Sequence, residues 1–197
     1  MRIILIRHPE TTANERGLIY GKTDYEYSPR GARMLEEIEE LMREDMNSQI
    51  DIYSSPSPRA HKLAKAIAGA KENIIKIDEI VREMEFGIFE NLTNKEAMEK
   101  FPDLYDQFMK DYSNFGIPQG ESFRDVYIRA DHFLKQVISR NKDCIIVSHG
   151  MFIKASIAFL LDIELEKCWH FRTNPGSIIE IEYVNNYGVL IQARNFK

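Results

Sequence analysis

An arginine and a histidine stand side by side at the end of an apolar run, in the stretch LIRHPETTANERG at residues 5 to 17. A buried strand gains nothing from such a pair, but a phosphoryl group does. A guanidinium binds two phosphate oxygens at once, and an imidazole can attack phosphorus. Two further basic groups follow apolar runs in the same way: Arg59 after Asp51 to Ser54, and His149 after Cys144 to Ser148. Arg7 and Arg59 can clamp the phosphoryl oxygens, while His149 adds a hydrogen bond as charge shifts during transfer. The guanidinium charges also disfavour protonation of His8, which keeps one ring nitrogen available as the nucleophile. No metal-ligand cluster and no glycine-rich phosphate loop is present, so this chemistry is expected to need neither a metal nor a cofactor.

Residues far apart in sequence converge only if the fold brings them together, and the apolar pattern supplies such a fold. Ile3 to Ile6 is a short continuous apolar run of the kind found in central parallel strands, and similar runs recur at Ile52-Tyr53, Ile74 to Ile77 and Cys144 to Val147. Helical patterns separate them. Ser28-Pro29 is a helix-start signal followed by Leu35, Ile38, Leu41 and Met42, and Ser57-Pro58 repeats it ahead of Ala60, Leu63, Ala64 and Ile67. A third helix opens near Ser122 and buries Phe123, Val126, Ala130, Phe133, Leu134 and Val137. Alternating strands and helices predict an α/β layered fold with a mostly parallel sheet, and ligands of such sheets bind beyond the carboxyl ends of the strands. Ile178 to Tyr183, Asn185-Asn186, Gly188 and Val189 to Ile191 predict a hairpin at a sheet edge. The irregular stretch of about 86–120 places Phe101, Tyr105, Phe108 and Tyr112 on one helical face and is expected to cover the site, although packing onto the core is the commoner use of an aromatic stripe.

Composition narrows the function class. With 197 residues and 44% hydrophobic content, one domain spanning 1–197 is expected. A net charge of −5 argues against a nucleic-acid or anionic-membrane partner and leaves a small-molecule phosphate ester as the expected one. Cys144 and Cys168 show no metal or redox spacing and are expected to be buried free thiols, which fits a cytoplasmic setting. The opening apolar stretch is too short for a membrane span and lacks the features of a signal peptide. The sequence says nothing about oligomeric state.

Arg7-His8-Pro9-Glu10-Thr11 with Asn14, the stretch SSPSPRAHKLA, the stretch VREMEFGIFEN and the stretch VSHG occur in one order along nearly the whole chain. Together they resemble the histidine phosphatase superfamily, also called the phosphoglycerate mutase-like family. The resemblance implies a three-layer α/β/α sandwich with a helical cover segment. It implies His8 as the phosphorylated nucleophile, with Arg7, Arg59 and His149 as the phosphate pocket and Asn14 in support. Glu83 would be the proton donor to the leaving oxygen, Glu85 being the neighbouring alternative. Pro9 departs from the glycine usual in the family and removes a backbone donor. Looser stretches, YGKTD at 20 to 24, IPQGESFRDV at 117 to 126 and WHFRTNPGS at 169 to 177, look like the α-ribazole phosphatase branch, which acts in cobalamin biosynthesis. A broad-specificity phosphatase or a phosphoglycerate mutase-like enzyme is the alternative within the family, and a non-catalytic phosphate-ligand binding module is the alternative outside it. Any one of these residues alone would be an ordinary surface, capping or turn residue. His61, His132 and His170 have no partner motif and are read as structural.

Overall fold

Ile3, Ile4, Leu5 and Ile6 form the centre of β1 (Arg2–Arg7), where successive side chains point to opposite faces. Ile3 and Leu5 enter one hydrophobic core and Ile4 and Ile6 enter another, so the strand is apolar throughout because both of its faces are covered. The structure, a computed structural model, describes residues 1–45 and 50–196. After β1 come α1 (Thr12–Glu15), β2 (Leu18–Ile19), α2 (Pro29–Met42), β3 (Asp51–Ser54), α3 (Pro58–Ala68) and β4 (Ile75–Ile77). The chain continues through β5 (Leu92–Thr93), α4 (Asn94–Lys100), α5 (Pro102–Lys110), α6 (Phe123–Ser139), β6 (Cys144–Ser148) and α7 (Gly150–Leu160). It ends in the hairpin β7 (Ile178–Val184) and β8 (Tyr187–Arg194).

Six strands form one sheet in the order β4-β3-β6-β1-β7-β8. The first four run parallel, and β7 and β8 add antiparallel at the far edge. Helices α2 and α3 contribute Met34, Ile38, Leu63 and Ile67 to the core on one face, and α6 and α7 contribute Phe133, Leu134, Phe152 and Ile157 to the core on the other. This is the expected α/β/α sandwich. The helix starts follow from local chemistry. Ser28 accepts a bond from the Gly31 amide with Pro29 at the first helical position, and Ser122 and Asp125 cap α6 reciprocally.

Two details depart from the sequence pattern. The run Ile74 to Ile77 enters the sheet only at Ile75, because Ile74 closes a tight turn of 3-10 helix. The aromatic stretch from Phe101 is two helices, since Pro102 lacks an amide and drives Phe101 out of helical geometry, to φ −135° and ψ 56°. Residues 86–120 hold β5, α4 and α5, with β5 paired to β2 in a small separate sheet. Cys144 and Cys168 are buried and free, and burial pushes their thiols up to about 12 and about 11. Among the described residues, no helix is long and apolar enough to cross a membrane.

Candidate active site

Because β3, β6 and β1 are parallel neighbours, their carboxyl ends share one edge of the sheet. The first residues beyond them are Ser55, His149 and His8. The His8 amide donates to the Ser148 carbonyl at 3.1 Å, and the Ser55 amide donates to the Val147 carbonyl at 3.1 Å, which holds the three ends in register. The His8 and His149 rings consequently lie 5.2 Å apart, centroid to centroid.

Nδ1 of His8 lies 2.7 Å from the Pro9 carbonyl oxygen. A carbonyl can only accept, so Nδ1 carries the proton and Nε2 keeps its lone pair. Burial, with the Arg7 and Arg59 charges added, holds the His8 imidazole well below its ordinary pKa, and burial with Arg59 and His8 nearby does the same to His149. Both rings are therefore neutral at pH 7. Nε2 of His149 meets the Ser55 hydroxyl at 2.8 Å, while its Nδ1 is buried without a partner.

Arg59 is buried and Arg7 partly buried, and each is only partly satisfied. Arg7 donates through Nη1 to the Thr173 carbonyl at 2.7 Å, and a Cβ on Gly150 would stand 3.3 Å from its guanidinium, so the glycine leaves room for that group. Arg59, in the first turn of α3, donates to the carbonyls of Thr23 and Gly21 and pairs with Asp24 at 2.8 Å. Its guanidinium carbon lies 4.9 Å from the centre of the Tyr20 ring. The Nε of each arginine is buried with no hydrogen-bond partner among the described residues. An unsatisfied buried donor on a cation is costly, and two of them at one sheet edge make a place for an anion.

Glu83 completes the edge. Its Oε1 accepts from the amides of Met84 at 2.9 Å and Met151 at 3.0 Å, the second in the first turn of α7. Glu83 lines a cavity of about 410 Å³ together with Arg7, Asn14, Tyr20, Tyr112 and Lys154. Glu85 instead stands partly exposed beside Arg82 and does not line it. Asn14 spends its Oδ1 on the amide and hydroxyl of Thr11 in the cap of α1 and on the Tyr20 hydroxyl, which directs this side chain to the cavity wall. A wider groove of about 670 Å³ lies between α2 and the end of β8. Glu36, Glu37 and Glu40 line it against the single cation Arg194, so its charge is mainly negative and unsuited to a phosphate. Among the described residues, no three His, Cys, Asp or Glu side chains gather as a metal site.

The chain matches the histidine phosphatase superfamily (branch 1) over residues 3–195. It belongs to that superfamily. The phosphoserine phosphatase 1 of Hydrogenobacter thermophilus is 32% identical over 98% of this chain and 91% of its own length. The crystal structure of a phosphoserine phosphatase from Entamoeba histolytica with 3-phosphoglyceric acid is 30% identical, with a TM-score of 0.85 over 100% of this chain and 98% of that one. An α-ribazole phosphatase from Shigella flexneri is 27% identical, with a TM-score of 0.88 over 96% and 94%. This histidine phosphatase is accordingly a phosphoric monoester hydrolase with the phosphoglycerate mutase-like fold.

Of the residues singled out from the sequence of this phosphatase, His8, Arg59 and His149 lie at the carboxyl edge of its sheet and Arg7, Asn14 and Glu83 line the cavity, whereas Glu85 stands outside that cavity. Sequence reasoning passed over Ser55, although the position just beyond a strand, which drew attention to His149, applies equally to it. It also passed over Arg129 of α6, whose guanidinium donates to the carbonyls of Ile80, Arg82 and Glu83 at 2.6 to 3.0 Å. No local signal marks that residue.

Proposed function

We propose that the enzyme hydrolyses a small phosphate monoester in two steps through phospho-His8. In the first, Nε2 of His8 attacks phosphorus, the ester P–O bond breaks, and Glu83 gives its proton to the departing oxygen. In the second, water attacks phosphorus, Glu83 takes the water's proton, and the N–P bond breaks to release inorganic phosphate and restore His8. Arg7 and Arg59 hold the phosphoryl oxygens through the Nε donors left free, His149 contributes its Nδ1 side, and Asn14 supports the rim. The observation that carries this reading is the orientation of His8: its proton is fixed on the Pro9 side, between two guanidinium groups with unpartnered donors. Pro9 removes an amide from the phosphate pocket but supplies the carbonyl that orients the nucleophile.

Two substrate readings go beyond this. α-Ribazole 5′-phosphate is supported by the loose motif stretches, by the resemblance to an α-ribazole phosphatase, and by the rings of Tyr105, Phe108, Tyr112 and Trp169 along the cavity, which can cover a planar base. A phosphorylated hydroxy acid such as phosphoserine is supported by the relative of 32% identity. The deciding assay is phosphate release with EDTA present, from p-nitrophenyl phosphate, α-ribazole 5′-phosphate, O-phosphoserine and 3-phosphoglycerate, for wild type and His8→Ala. Release that depends on His8 is expected. Equal release by His8→Ala would overturn the mechanism, and phosphate binding without any release would make the protein a binding module.

A further inference from the structure

Lys154 is a cation in this cavity that the two-step reaction does not use. It is 8% exposed, and its ammonium donates to the Phe171 carbonyl at 2.7 Å and lies 4.6 Å from the centre of the Trp169 indole ring. Trp169 is held edge to face against Tyr112, with centroids 4.9 Å apart. An ammonium has three donors, and among the described residues no carboxylate pairs with this one. A carbonyl and a ring face do not neutralise a charge taken out of water, so the site is built for an anion that the protein itself does not supply. Burial, with the Arg7 charge added, lowers the ammonium's pKa, as expected of an uncompensated cation.

The helix puts Lys154 on the same side as the phosphate site. Gly150 and Lys154 are four residues apart on α7 and so share a face, about 6 Å apart along the axis. Gly150 lies against the Arg7 guanidinium, and Arg7, Gly150 and Lys154 line the same cavity. A small ester held by Arg7 can therefore turn its alcohol portion toward Lys154 within one cavity of about 410 Å³.

We propose that Lys154 is a second anion subsite, which binds a carboxylate on the alcohol portion of the ester and selects phosphorylated hydroxy acids over phosphorylated nucleosides and neutral polyols. The inference rests on the phosphatase reading above and decides between its two substrate classes. The aromatic rings then serve as the wall that desolvates the ion pair, not as a stacking platform.

The test compares substrates that differ only in the acid group: O-phospho-L-serine against O-phosphoethanolamine, and 3-phosphoglycerate against glycerol 3-phosphate. Wild type is expected to favour the acid of each pair by about tenfold or more in kcat/KM, the scale of one charge-assisted contact. Lys154→Gln, which retains N–H donors without the charge, should reduce that ratio to within about threefold, mainly through KM, and Lys154→Arg should restore most of it. A ratio unchanged in Lys154→Gln, equal loss on both members of a pair, or preference of the wild type for α-ribazole 5′-phosphate would overturn the subsite while leaving the phosphatase reading intact. Failure of wild type to release phosphate even from p-nitrophenyl phosphate would overturn the reading beneath it as well.

Discussion

Nδ1 of His8 faces the carbonyl oxygen of Pro9 at 2.7 Å, a contact that assigns the ring's single proton without a hydrogen being located. A phosphoryl group captured by His8 must then sit on Nε2. Rapid quenching in base during turnover of a substrate with a good leaving group, followed by phosphorus-nitrogen NMR of the base-stable phosphohistidine, should find phosphorus on Nε2 alone. Phosphorus on Nδ1 would show that the ring turns over in the reaction and that Pro9 does not orient it.

The two buried imidazoles make stability depend on pH in a definite direction. Both have folded-state pKa values well below 6.5, so above that pH neither state carries the extra proton and no penalty arises. As pH falls below 6.5 the unfolded chain binds two protons that the native chain refuses. Unfolding free energy should then fall by about 1.4 kcal/mol per pH unit for each ring, about 2.7 for the pair, until the depressed pKa values are reached. Urea titrations at pH 7.5, 6 and 5, with His149→Gln alongside, measure this slope. The variant should lose about half of it.

Glu83→Gln keeps an oxygen for the amides of Met84 and Met151 but has no proton to give or take. Turnover should fall by about 10² to 10⁴, the usual range for acid–base assistance. With a leaving group that needs no proton, such as p-nitrophenol, the first step should survive better than the second. A burst of p-nitrophenol equal to the enzyme concentration, followed by slow release, is the expected trace in a stopped-flow experiment.

Much of this site was legible because central parallel strands buried on both faces leave plain apolar runs, and the residues just past them must share an edge. His8, Arg59 and His149 follow from that rule. Pro102 carried the signal that divides α4 from α5, since proline opposes helical geometry at Phe101, but the aromatic spacing across it matched one helix closely enough to mask the break. The antiparallel addition of β7 beside β1 had no local signature, because partner choice is a property of the assembled sheet. Lys154 and Arg129 were hidden for a related reason: a cation within a helical pattern reads as a solvated one until packing places it against the cavity or a loop.

Arg129 shows how far such a residue can reach. It is nearly buried, pairs with Glu121 at 3.1 Å, and its donors gather the carbonyls of Ile80, Arg82 and Glu83, while Glu121 accepts from the Glu85 amide at 2.9 Å and pairs with Arg82 at 3.0 Å. This brace holds the segment that aims Glu83 into the cavity, so Arg129 is a positioning residue. Arg129→Met should destabilise the fold by about 1–3 kcal/mol, since it leaves the carbonyls of Ile80, Arg82 and Glu83 without their donor while Glu121 keeps Arg82 as its remaining ion partner. Arg129→Met combined with Glu121→Leu dissolves the brace altogether, taking the acceptor from the Glu85 amide and an ion partner from Arg82, and should be no more stable than the single variant. The activity of the double variant should stay low on esters with poor leaving groups and be far less affected on p-nitrophenyl phosphate, because only the former need a proton from Glu83 in the first step. A double variant equally active on both would mean that Glu83 holds its place through the Met84 and Met151 amides alone.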